Sequence, residues 1–189
     1  MTSIDQVIER LRARNAPELY PTQPWDASLS RLLLDSSVET LFESENMKDL
    51  DATVRAGLLL WNDDLSASHT ISQGIETPDG SFWHAIMHRR EADHSNSKYW
   101  YHNAGEHSVF PKLREFTTTK CGTDEAGRAF CQSLGRLGEW DYSHYVDACA
   151  AVRNGDAAHQ SLLKQIQLQE IELLLAYCRQ KALGWAGSD

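Results

Sequence analysis

Between Asp156 and Gly184 the chain runs without proline or glycine, and its apolar residues return every three or four positions. His159, Leu162, Leu163, Ile166, Glu170, Leu173, Leu174 and Tyr177 fall on one stripe at helical period. A helix this long cannot cover its own apolar stripe, so the rest of the chain must pack against it. What the rest offers is more helix. Ile4, Val7, Ile8 and Leu11 repeat the pattern, and Asp26 stands ready to cap a turn carrying Leu29, Leu32 and Leu33. Ser36 and Glu39 have capping-box spacing. Asp51 opens a helix expected to run to about Ile75, with Val54, Leu58, Trp61, Leu65, His69 and Ser72 on one face. The turn chemistry of TPDGS at 77–81 then leads into a helix from Phe82 to about Glu91, capped by Asp79 or Ser81. DHSNS breaks it, and Tyr99 to Ala104 forms a short helix or turn ending at Gly105. Pro111, Thr123, Asp141 and Asp156 start further helices. No stretch alternates as a strand does. The expectation is an all-α, single-domain bundle of about six to eight helices over residues 1–189.

Composition restricts function more than fold. Over 189 residues the chain is 41% hydrophobic and 24% charged, with a net charge of −9. That charge argues against nucleic acid or an anionic membrane as partner, since no basic block offsets it. No apolar run approaches the ~20 residues that span a bilayer. MTSIDQVIERLRARN lacks the apolar core of a signal peptide, so a cytoplasmic protein is expected. The four cysteines (Cys121, Cys131, Cys149 and Cys178) are widely spaced, without a CxxC. They argue for neither a zinc knuckle nor a disulfide framework; Cys149 and Cys178 read as buried thiols.

The segment from Ser81 to His107 holds five of the eight histidines together with Phe82, Trp83, Tyr99, Trp100 and Tyr101. His84, His88 and Glu91 follow one another at spacings of four and three, within about 60° on one helix face. Two imidazoles one turn apart are a standard offer of nitrogens to a divalent metal, and the carboxylate is a further ligand or a base. The motif is not HExxH, because Ala85 stands where that motif places its base. His69, just before the TPDGS turn, should come near His84 in an antiparallel hairpin. Glu170 interrupts the apolar stripe of the last helix and needs a buried partner, either a metal or a cationic or phenolic side chain. Arg89, Lys98, Tyr99, Trp100 and His107 complete an expected substrate pocket. A ferritin-like di-iron site is disfavoured, because Asp141-x-x-His144 and Asp156-x-x-His159 sit where the aspartates serve as caps. No nucleophile elbow, phosphate loop or dinucleotide fingerprint is present.

The run WHAIMHRREADHSNSKYWYHNAGEHSVF, with LLLWNDDLSASH before it, resembles an uncharacterised group of microbial proteins sharing WHAIxHRRE, SNxKYW and GxHxVF. The likeness spans roughly residues 57–113 and implies no activity. His84, His88 and Arg89 are also similar to the metal-binding turn of DinB-type helical bundles. That likeness implies a divalent metal on His84, His88 and a third histidine, here His69. The order departs from that family, whose paired histidines come late in the chain.

Three functional readings stay open on the sequence. The first is a divalent-metal-dependent enzyme (Zn, Ni, Mn or Fe) acting on a small polar substrate, with His69, His84 and His88 as ligands and Glu91 or Glu170 as ligand or base. The second is a non-catalytic small-molecule-binding or interaction module. The third is a scaffold or homo-oligomer.

Overall fold

A computed structural model describes residues 3–37, 48–120, 125–135, 138–155 and 159–182. Among them lie ten helices and no strand. The all-α expectation holds; the count of six to eight was too low, in part because the one helix expected from Asp51 to Ile75 is two.

Helix α1 (Ile4–Arg12) begins at a complete capping box, Ser3 and Gln6 each bonding the other's backbone N–H, and buries Ile4, Val7, Ile8 and Leu11. Asp26 caps α2 (Ala27–Asp35) by accepting from the N–H groups of Ser28 and Leu29. Ser36 ends α2 rather than opening a helix; Glu39 lies outside the described residues. Helix α3 (Lys48–Trp61) already contains Asp51, so Asp51 is not its cap.

The long helix expected to reach Ile75 stops at Trp61 and restarts as α4 (Leu65–Ser72). Asn62-Asp63-Asp64 is the reason. Short polar side chains compete with the helix for backbone and nearby groups, and each of these three finds a partner. Asn62 donates to the Asp26 carbonyl and the Ser30 hydroxyl. Asp63 takes a left-handed φ of 64° and receives Arg14 and Arg90 on its two oxygens. Asp64 caps α4 through the Ala67 N–H.

Helix α5 (Pro78–Arg90) starts four residues before the expected Phe82, and neither Asp79 nor Ser81 is its cap. Thr77 is the cap, and Pro78 takes the first turn, where its missing N–H is harmless. Ala92, with φ of 66°, turns the chain into α6 (His94–Ala104), capped by Asp93. DHSNS therefore opens a helix instead of separating two. Then come α7 (Val109–Lys120), α8 (Glu125–Leu134), α9 (Tyr142–Arg153, capped by Asp141) and α10 (Gln160–Ala182). The expected caps Thr123 and Asp156 and the stop at Gly184 lie outside the described residues.

Helix α5 is the centre of the bundle: from Phe82 to Arg90 every residue is buried. It packs against α3, α4 and α6, while α10 crosses α3 and α7. The approach of α3 to α5 depends on Gly57, where a Cβ would stand 2.5 Å from the Trp83 ring. On α10 the buried stripe is Leu163, Ile166, Gln167, Glu170, Ile171, Leu174, Leu175 and Cys178. Leu162, Leu173 and Tyr177 from the expected stripe flank it, half-buried. Cys149 and Cys178 are free and buried. Cys131 is disulfide-bonded, a bond that the cysteine spacing did not point to.

Candidate metal centre

His84 and His88 project from successive turns of α5, and their rings stack 4.7 Å apart with 12° between planes. His69 reaches them from α4, its ring centroid 4.8 Å from that of His84 and 5.3 Å from that of His88. The short TPDGS connection makes α4 and α5 neighbours, as the sequence implies. One nitrogen of each ring lies within 4.8 Å of one nitrogen of each of the others. This is a group of three side chains from two helices that could hold a metal ion. An equilateral triangle of that edge has its centre about 2.8 Å from each corner, against about 2.0–2.1 Å for a zinc–imidazole bond. At that outer limit each nitrogen would move by at most roughly 0.7 Å to close on an ion.

The nitrogens are poorly served by protein. His84 Nε2 and His88 Nδ1 are both buried without a hydrogen-bond partner. Buried polar atoms are ordinarily paired, and each orphan costs about 1–3 kcal/mol. The surroundings of His84 and His88 favour their neutral forms. Burial, reinforced by His88 and His69, pushes the His84 imidazolium down to about 4. Burial and His69 hold His88 below its usual value, with Asp93 and Glu91 pulling the other way. A neutral imidazole has a lone pair to give without first losing a proton.

Two carboxylates and an indole surround the triad. Glu91 ends α5 and is exposed; its Oε2 lies 3.8 Å from His88 Nδ1. Asp93 Oδ2 stands at the same 3.8 Å. Asp93 escapes a reading of helix faces because it lies beyond the end of α5 and declares itself only as a cap. Trp100, from α6, stacks on His84 with ring centroids 4.1 Å apart.

The other expected site residues lie elsewhere. Glu170 and Arg89 face each other in the core, the carboxylate accepting from Arg89 Nη2 at 2.6 Å and from the Tyr101 hydroxyl at 2.6 Å. Arg89 also donates to Tyr101 and lies over the Tyr145 ring at 4.4 Å. Both oxygens of Glu170 are thus spent, and it is not available to the imidazoles. His107 caps α7: its Nδ1 accepts from the Val109 N–H at 3.2 Å, and its Nε2 donates to Asp79 at 3.0 Å. Lys98 pairs with Asp147, and Tyr99 is 57% exposed. Of the expected pocket residues, only Trp100 touches the triad.

No protein-family model, curated protein or solved structure matches the chain. No described helix is long and apolar enough to cross a membrane.

Proposed function

We propose that the chain is a divalent-metal-dependent enzyme acting on a small polar substrate, with His69, His84 and His88 as the metal ligands. The observation that carries this reading is the convergence of three imidazole nitrogens within 4.8 Å, together with the orphaned buried Nε2 of His84. An ion supplies Lewis acidity when bound, lowering the pKa of a coordinated water towards neutrality. Three protein ligands leave a position for that water or a substrate, the pattern of catalytic rather than structural zinc sites.

The chain's own residues have separable tasks. His84 is held in place by the stacked Trp100 ring. His88 offers one nitrogen inward while Nδ1 faces Glu91 and Asp93, whose carboxylates fix the ring's orientation once they close from 3.8 Å to hydrogen-bond distance. Glu91, exposed beside His88, would be the base that takes a proton. Zinc, nickel, manganese and iron all accept imidazole, so the ligand set leaves the metal to elemental analysis.

The test is metal content measured on protein purified without a histidine tag. One equivalent of bound metal is expected, either as isolated or after incubation, and it should vanish in the double variant His84→Ala/His88→Ala. Helix content should survive, since alanine favours helix. A wild-type protein that carries no metal and takes up none refutes the proposal. A double variant that keeps its metal refutes the ligand assignment.

A further inference from the structure

A second site lies away from the histidine triad, between the α6–α7 connection and the start of α9. A cavity of about 510 Å³ opens there, within the range of small-molecule sites. Its lining includes Glu106, Phe110, Arg114, Glu139, Trp140 and Tyr142. Arg114 is half-buried and has no ion pair among the described residues, and its Nε is shielded from water without an acceptor. Arg14, Arg89 and Arg90, by contrast, each hold a carboxylate. Trp140 is 6% exposed, and its indole N–H is likewise unpartnered. Glu106 and Glu139 are exposed at the same cavity and form no ion pair among the described residues. Phe110, Trp140 and Tyr142 supply aromatic wall.

We propose that this cavity binds a small zwitterion, namely a free amino acid with an aromatic or apolar side chain. The guanidinium of Arg114 presents a planar fork that matches a carboxylate. Glu106 and Glu139 oppose an ammonium group. The three rings accept the apolar body. A simple anion suits the cavity less well, because two carboxylates without an ion pair among the described residues line it beside Arg114. This site does not depend on the metal reading.

The experiment titrates the full chain with L-phenylalanine, following heat and tryptophan emission. Two analogues accompany it: 3-phenylpropanoate, which lacks the ammonium, and phenethylamine, which lacks the carboxylate. L-Phenylalanine should bind with one-to-one stoichiometry, and each analogue at least about tenfold more weakly. Arg114→Gln should weaken L-phenylalanine by at least about tenfold while metal content stays unchanged. The double variant Glu106→Gln/Glu139→Gln, on exposed positions that leave the fold alone, should weaken L-phenylalanine without weakening 3-phenylpropanoate. Failure of L-phenylalanine to bind at millimolar concentration overturns the proposal. So does equal binding of 3-phenylpropanoate, or undiminished binding by either variant.

Discussion

Replacing Glu170 by alanine separates a core ion pair from a catalytic carboxylate. The substitution removes two acceptors at once, one 2.6 Å from Arg89 Nη2 and one 2.6 Å from the Tyr101 hydroxyl. Arg89 is 1% exposed and its Nε is already without a partner, so water cannot readily replace what is lost. Hydrogen bonds to a charged group contribute about 1.5–3 kcal/mol each, and breaking a buried ion pair from one side costs about 3–5 kcal/mol. Both routes lead to a loss of about 4 kcal/mol, a large part of the ~5–15 kcal/mol by which domains are stable. With a urea slope of about 2 kcal/mol per molar, the unfolding midpoint should fall by about 2 M. The double variant Arg89→Met/Glu170→Leu should recover much of that loss, since an apolar pair of similar volume leaves no buried charge. Metal content should be the same in all folded variants. A loss below about 1 kcal/mol for Glu170→Ala refutes the account of the pair. Loss of metal from a folded Glu170→Ala protein would show instead that the carboxylate serves the triad.

Gly57→Ala should destabilise by about 1–3 kcal/mol through overpacking against Trp83, more than the ~1 kcal/mol gained in helix propensity; a variant as stable as wild type in denaturant would count against the close approach of α3 and α5. Asp79 supplies a pH dependence. Burial raises its carboxyl pKa, but hydrogen bonds from His107 and Lys181 outweigh burial and hold it below the ordinary value. Its folded pKa is therefore lower than its unfolded value of about 3.9, so its stabilisation is whole above that pH and is lost as pH falls through the folded value. Asp79→Asn should flatten the acid limb of a stability–pH curve, and an unchanged limb would contradict the assignment. Nickel added to the wild-type protein should quench tryptophan emission mainly through Trp100, whose ring stacks on His84. In Trp100→Phe the quench should shrink while one equivalent of metal still binds, and an undiminished quench would place the ion elsewhere.

Periodicity alone determined that this chain is helical, because the 3.6-residue repeat of apolar side chains is local information. It also placed His84, His88 and Glu91 on one side of α5, and the short proline–glycine turn brought His69 to them. Local capping chemistry was legible at Asp26 and Asp141, where an aspartate immediately precedes a periodic run. The interruption at Asn62–Asp64 was not, because those residues leave the helix to meet partners distant in sequence: Asp26, Ser30, Arg14 and Arg90. The fates of Glu170 and His107 were likewise decided by tertiary structure. A buried carboxylate on α10 announces that it needs a partner, but only the crossing of helices shows that the partner is Arg89 and not an imidazole. A histidine after a glycine could turn either way, and the cap of α7 together with Asp79 claims it. Asp93 and Trp100 join the triad from beyond the end of α5, through a turn at Ala92 in a left-handed conformation that no propensity favours. Sequence spacing determines which groups share a helix face; which groups meet across helices depends on crossing geometry, and that is set by the packing of the whole core.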